Sequence, residues 1–377
     1  MLRTVCASAT PPSRADVAVT TGMARATAAR LADDLVAAGL LDEVERPPTA
    51  RRGRPATPLA PGSRYGALGL QVDAGLLVAR VIDLRGRVVA EHVVEGNFVG
   101  SDPAPTLQRL SDLAGPLLAA LPSQMRVVGA GLALPGIVDV AGGVLLRAPN
   151  LGWSNERPGD ALARSLPPDL VPVLGNEADL AARTVAETAP GRAGSHRDFL
   201  YLSGQIGIGG AAVLAGRVMT GSSGWAGEVG HVCVDPNGPP CRCGSTGCLE
   251  QYAGREPLLA AAGLPRGSAP GVLAGRGRAG DAAALRALDT AGWALGVALA
   301  GVLNVLDIPS VVLGGHLGEL GDLLCPRVED HLARRVISAR WRRPAIAAAA
   351  TAPGAGATGA ALRALDDVLA DPGRWLG

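Results

Sequence analysis

The sequence has no lysine, so every strongly basic side chain is an arginine. Its 35 basic and 34 acidic residues leave a net charge of +1. No global field therefore draws the chain onto nucleic acid, and any such contact has to be built locally. Aromatics are scarce, with two Phe, three Tyr and five Trp in 377 residues, so the core has to come from Leu, Val, Ile and Ala. The N-terminus lacks the long apolar stretch of a secretion signal. The most apolar run, Ala291 to Leu306, is too short for a bilayer and carries Asn304, which predicts a buried core helix and no membrane partner. The cysteines show a cluster and no pairing pattern elsewhere, which points to a reducing cytoplasm.

That cluster lies in residues 224 to 250. His231, Cys241, Cys243 and Cys248 fall within 18 residues, separated by Gly and Pro turns. Four such ligands can close around one tetrahedral Zn²⁺ and leave no open position, so the metal would be structural. The loop has little apolar surface of its own, and metal binding would supply its folding energy. The competing readings are a disulfide or free buried thiols, and a Cys-x-Cys pair is too tight to bridge easily. Cys6, Cys233 and Cys325 stand in apolar contexts and are expected to be inert. Glu228 and Glu250 flank the ligands and are free to accept hydrogen bonds from a polyhydroxylated molecule.

The first sixty residues have a different texture. Ser13 with Asp16 three residues on predicts an N-capped helix. Gly22 is a turn, and Ala24 to Ala38 is a helix stopped by Gly39. Ala24, Ala28, Leu31 and Leu35 share one face; Arg25, Thr27 and Arg30 lie near the other, at its N-terminal end. This is a helix-turn-helix layout, whose second helix would enter a major groove. A two-strand wing is expected next, tipped by Arg51, Arg52 and Arg54, which could reach a minor groove or phosphates. The competing reading is a packing hairpin with an arginine linker, because residues 1 to 62 hold eight Arg against six acids.

From Tyr65 onward, short apolar strands alternate with helices, which predicts an α/β body with mixed sheets. Strands are expected near 68–73, 76–84, 88–94, 127–134, 171–175, 199–203, 211–214 and 310–313. Helices are expected near 106–121, 178–189, 281–306, 318–324 and 327–334, with a last one capped by Thr358.

Glu228-Val-Gly-His231 followed by Cys241-x-Cys243-Gly-x-x-Gly-Cys248-Leu-Glu250 resembles the signature of the ROK family of repressors, open reading frames and sugar kinases. The resemblance extends over essentially the whole chain. It implies an actin-like ATPase (ribonuclease H-like) fold of two α/β lobes, preceded by a winged helix-turn-helix. Residues 1–62 would be the DNA-binding head, and 63–175 and 176–377 the lobes. It implies zinc on the His and three Cys, and a sugar pocket comprising Asn176, Glu177, Glu228, His231 and Glu250. Pro135, Gly136 and Asn150 would border that pocket.

The family's kinases carry an Asp where this chain has Glu177, an Asp where it has Gln71, and a hydroxyl residue where it has Ile206. With the catalytic and phosphate-binding positions changed and the sugar positions kept, no catalytic residue is assigned; Glu177 is a vestigial candidate. The implied function is a cytoplasmic, sugar-responsive regulator, a repressor of carbohydrate metabolism working as a homodimer or homotetramer on operator DNA. The alternative is an ATP-dependent sugar kinase of glucokinase or fructokinase type, with Glu177 or Asp179 as the base.

Overall fold

The computed structural model describes residues 1–45, 57–349 and 353–376. The segment carrying Arg51, Arg52 and Arg54 lies outside them.

The chain opens with α1 (Leu2–Ala7), α2 (Arg14–Thr21) and α3 (Arg25–Ala37). The Ser13 hydroxyl accepts from the Asp16 amide and the Asp16 carboxylate answers to the Ser13 amide, so the expected capping box is present. Gly22 ends α2 at φ +70°, which a residue with a Cβ rarely adopts. Ala28, Ala32 and Leu35 form the buried face of α3. Ala24 is exposed at the cap and Leu31 is half-buried, so the buried stripe is rotated by about one residue from the expected one. Two short strands, β1 (Leu41–Glu43) and β2 (Leu59–Pro61), pair antiparallel beside the helices.

Two five-stranded sheets form the body. The first comprises β3 (Tyr65–Val72), β4 (Leu76–Asp83), β5 (Val88–Glu95), β6 (Arg126–Leu134) and, after β7 (Ile137–Asp139), β8 (Val144–Ala148) and β9 (Trp153–Glu156), β10 (Pro172–Asn176). Its order is β10-β6-β3-β4-β5, with the β3–β4–β5 meander antiparallel and β6 and β10 parallel to β3. Helix α4 (Pro103–Ala119) covers one face, and α5 (Pro158–Leu162) packs beside it. From β10 the chain passes directly into α6 (Glu177–Ala186).

After a two-stranded hairpin, β11 (Glu187–Ala189) and β12 (Arg192–Ala193), the second sheet repeats the pattern. It comprises β13 (Phe199–Gly204), β14 (Ile208–Leu214), β15 (Arg217–Val218) and later β16 (Ser310–Gly314) and β17 (Ala345–Ala348), in the order β15-β14-β13-β16-β17. An antiparallel meander followed by two parallel strands thus occurs twice, giving two lobes of one topology. Helices α7 (Glu250–Ala253), α8 (Arg255–Ala261), α9 (Pro270–Arg278), α10 (Ala282–Leu306), α11 (Gly315–Glu319) and α12 (Gly321–Arg335) surround the second sheet, and α13 (Ala355–Ala364) and α14 (Asp366–Ala370) end the chain.

The apolar stretch expected at 291–306 is part of the longer α10, of 25 residues. Among the described residues α10 is the one helix long and apolar enough to cross a membrane, yet it packs along α12 inside the second lobe. The two helices expected at 318–324 and 327–334 are largely one, α12, running through Pro326. The last helix begins at Ala355 after Gly354 at φ +78°, not at Thr358. The Thr358 hydroxyl instead accepts from the Arg80 guanidinium at 2.6 Å.

Helix α13 returns to the first lobe and packs on β3 and β6. Leu2, Val5, Val17 and Leu35 of the head, Tyr65 and Ile82 of the first sheet, and Leu362, Leu365 and Leu369 near the end of the chain are buried in one cluster. Arg3 Nε donates to the Leu369 carbonyl at 2.8 Å, and Arg192 Nε to that of Cys6 at 3.3 Å. The head is therefore built into the first lobe.

Candidate functional site

The loop from Glu228 to Cys248 is irregular, with one turn of 3₁₀ helix at Val229–His231. Bridges Cys233 to Cys248 and Pro240 to Thr246 fold it back on itself. Gly247 sits at φ +61°, and a Cβ there would come within 1.6 Å of the Asp235 carbonyl, so the turn demands glycine. This folding brings His231, Cys241, Cys243 and Cys248 together, with all four ligand atoms within 4.8 Å of one another. Cys241 Sγ lies 3.7 Å from His231 Nδ1, and Cys243 Sγ lies 3.7 Å from Cys248 Sγ. Bonds of roughly 2.3 Å at tetrahedral angles put two sulfur ligands of one ion about 3.8 Å apart, so the spacing fits. Burial, then the neighbouring thiols, pushes Cys248 up to about 12. A bound cation removes that penalty by taking the thiolate. Cys6 is buried, and burial raises its thiol to about 12, in keeping with inertness. Cys233, expected in an apolar setting, is exposed.

Beside the cluster lies a narrow cavity of about 60 Å³ between the lobes. Asn176, Glu177, Glu228, His231 and Glu250 all line it, and so do Pro135, Gly136 and Asn150. Each arrives by a definite route. Asn176 and Glu177 stand where β10 passes into α6. The Asn176 carbonyl caps α6 through the Ala178 and Asp179 amides, at 2.8 and 3.2 Å, and its amide donates to the Gly136 carbonyl at 2.9 Å. Its polar groups are thus largely engaged, and it acts chiefly to hold the walls. Glu177 is buried and accepts from the Ser203 hydroxyl at 2.9 Å. Burial, then the nearby Asp73 charge, pushes its carboxyl up to about 8.

Glu250 begins α7. One of its oxygens accepts from the Ile208 amide at 3.2 Å and from the Asn150 amide group at 3.4 Å, and the other faces Cys241 Sγ at 3.8 Å. It joins the metal loop, the β13–β14 turn and the first lobe. Gly207 makes room for it, because a Cβ there would fall 2.1 Å from the Glu250 carboxylate. His231 turns Nδ1 to the cysteines, and its Nε2 lies 3.8 Å from the Glu228 carboxylate. Arg147 reaches across from β8 to the Cys243 carbonyl at 3.3 Å. The metal loop is therefore clamped to the opposite lobe at two points.

Sequence reasoning passed over Asp73 and Ser203, which also line the cavity; an acid inside a Gly-containing turn was the signal available for Asp73. Asp179 faces instead a larger neighbouring cavity of about 690 Å³, behind Asn176, and burial and then Glu228 raise its carboxyl to about 7. Another cavity, of about 630 Å³, opens on the far side of Asn150 and Glu250 and is lined by Gly75, Ile206, Arg242 and Arg255. Gln71 lies in neither. It is fully buried and its side-chain carbonyl accepts from the Ala357 amide at 2.9 Å, pinning β3 to α13.

In the head, Arg25, Thr27 and Arg30 are all exposed along the N-terminal half of α3, and Arg30 lies opposite its buried face.

The ROK family profile matches residues 68–367. The chain is 26% identical over 331 residues to a xylose repressor of Bacillus spizizenii, covering 86% of this chain and 84% of that one. It is 27% identical over 343 residues to the DNA-binding transcriptional repressor Mlc of Escherichia coli, covering 87% and 83%. Among solved structures, a ROK family transcriptional regulator homologous to the Escherichia coli Mlc protein superposes with a TM-score of 0.77 at 23% identity over 100% of this chain and 98% of that one. A ROK family glucokinase from Streptomyces griseus, in complex with glucose and AMPPNP, gives 0.65 at 26% identity over 78% and 98%. The profile match covers all of the first sheet from Leu68 and the whole second lobe with its His–Cys loop, and on that ground the chain belongs to the ROK family.

Proposed function

We propose that this protein is a sugar-responsive, DNA-binding transcriptional repressor of carbohydrate metabolism. The observation that carries the reading is that Glu177, Glu228, His231 and Glu250 line one cavity against the metal cluster, while Gln71 faces the core. A phosphoryl-transfer site needs a carboxylate for its metal ion and a cradle for phosphates. A buried amide pinned to α13 provides neither, so catalysis is not part of this reading. Repressors align with 86–87% of this chain, which supports the same choice.

In this reading His231, Cys241, Cys243 and Cys248 hold one structural Zn²⁺ that stiffens the pocket wall. The carboxylates and the free edge of His231 take the sugar hydroxyls, and Asn176 positions the wall. The cavity as it stands holds on the order of a few waters, so a sugar enters only as the lobes part. Residues 1–62 read the operator, with Arg25, Thr27 and Arg30 in the major groove and Arg51, Arg52 and Arg54, outside the described residues, as further DNA contacts. Residues 63–175, joined by the returning α13 and α14, make the first lobe, and the rest of residues 176–377 the second. Two copies are needed on a palindromic site, so the protein acts as a homodimer or a pair of them. A change in lobe angle alters the spacing between heads. A coupling of roughly 1–3 kcal/mol then changes operator affinity by about 5- to 150-fold.

The test is operator binding by fluorescence anisotropy with and without monosaccharides, alongside a coupled kinase assay with ATP. The expected result is sugar-dependent DNA affinity without turnover. Turnover abolished by Glu177→Ala would overturn the reading in favour of a sugar kinase.

A further inference from the structure

We propose that Asp73 is a charge gate, which confines the pocket to sugars that are neutral or carry an amine and shuts out phosphorylated ones. The inference deepens the sugar-binding reading and rests on it.

Asp73 sits in the β3–β4 turn with its amide bonded to the Leu76 carbonyl at 2.9 Å, and its side chain lines the cavity while 5% exposed. A turn of successive backbone amides is a ready anion site. Here the turn carries its own acid: burial pushes the Asp73 carboxyl up to about 6, against the pull of the Ala74 amide, from which it accepts at 2.5 Å, and of the Gly75 amide. The donors a phosphate would need are already taken.

The rest of the wall agrees. Among the described residues lining the cavity, Asp73, Glu177, Glu228 and Glu250 are carboxylates and none is an arginine. His231 offers Nδ1 to the thiols. Arg242 touches Asn150 Oδ1 at 3.5 Å, but it lines the neighbouring cavity. Sites that hold phosphate use arginine forks or free amides; no arginine lines this wall, and the Ala74, Gly75 and Ile208 amides are turned to carboxylates. An incoming dianion meets the Asp73 charge in a small buried space lined by no arginine to compensate it, where the repulsion is strong. A hydroxyl donates to the same carboxylates, and an ammonium does so more strongly.

The experiment is calorimetric titration of the full chain with xylose, glucose, glucosamine and glucose 6-phosphate, repeated for Asp73→Gly and Asp73→Asn. For the wild type, at least one uncharged or amino sugar binds, and the phosphorylated sugar binds about 100-fold more weakly or worse, as like charges facing each other require. Asp73→Gly is expected to raise the ratio of phosphosugar to uncharged-sugar affinity at least about 10-fold, and Asp73→Asn, which keeps the shape, serves if the glycine variant does not fold. Wild-type protein that binds glucose 6-phosphate as tightly as glucose overturns the gate, and so does discrimination that survives both substitutions. Absence of binding by every sugar tested overturns the sugar-binding reading itself, a result distinct from loss of selectivity alone.

Discussion

Glu177 and Asp73 are two buried acids facing one small cavity, and they cannot both ionise cheaply. Burial and the Asp73 charge raise Glu177 from 4.5 to about 8. A carboxyl whose folded value lies above its unfolded one contributes fully below the unfolded value and loses that contribution as the pH rises. The ligand-free protein is therefore expected to lose thermal stability as the pH is raised from 4.5 to about 8, and Glu177→Gln to flatten that slope. A melting series across this range checks it, and equal slopes for both proteins would count against the raised value. That these residues come together was legible residue by residue, because acids and cysteines set among Gly and Pro turns have no place in a core unless they meet. Asp73 was not legible, since an acid in a Gly-containing turn is ordinary until the opposite lobe buries it.

Among the elements, the metal loop has the least support of its own: one turn of 3₁₀ helix, two isolated bridges and the clamps from Arg147 and Asn150. Stripping the metal with a strong chelator, or Cys248→Ser, is expected to lower the melting temperature by on the order of 10 °C and to abolish sugar binding. Elemental analysis should give one zinc per chain in the wild type. Arg147→Ala leaves the metal in place and is expected to weaken only the sugar response of DNA binding, since it removes a clamp between lobes. Strands such as β3 and β13 were readable because their apolar runs are bounded by turn residues. The β11–β12 hairpin and the edge strand β17 were not, for their sequences, Glu-Thr-Ala and Ala-Ile-Ala-Ala, match helix as well as strand. Thr358 resembled a helix cap, but Gly354 had already started the helix and Arg80 took the hydroxyl.

At the scale of the molecule, the head, the first sheet and the end of the chain share one core. Periodicity along a sequence reveals which residues are buried and says nothing of which distant segments they meet, so this union could not be read from the chain. Leu365→Ala is expected to cost about 2–5 kcal/mol and to lower the melting of head and first lobe together in one calorimetric transition; separate transitions would contradict the shared core. On the outer face of α3, Arg30→Ala is expected to weaken DNA binding without changing stability and to reduce the salt dependence of log K by about one, which anisotropy titrations at several salt concentrations would show.

That shared core also sets the timing of synthesis. Leu2 and Val5 leave the ribosome first, but the helices that cover them, at residues 361–369, emerge only after some 350 others. A nascent or prematurely terminated polypeptide thus carries an N-terminal helical unit whose apolar side is still uncovered, and that unit is completed only once translation has passed residue 369.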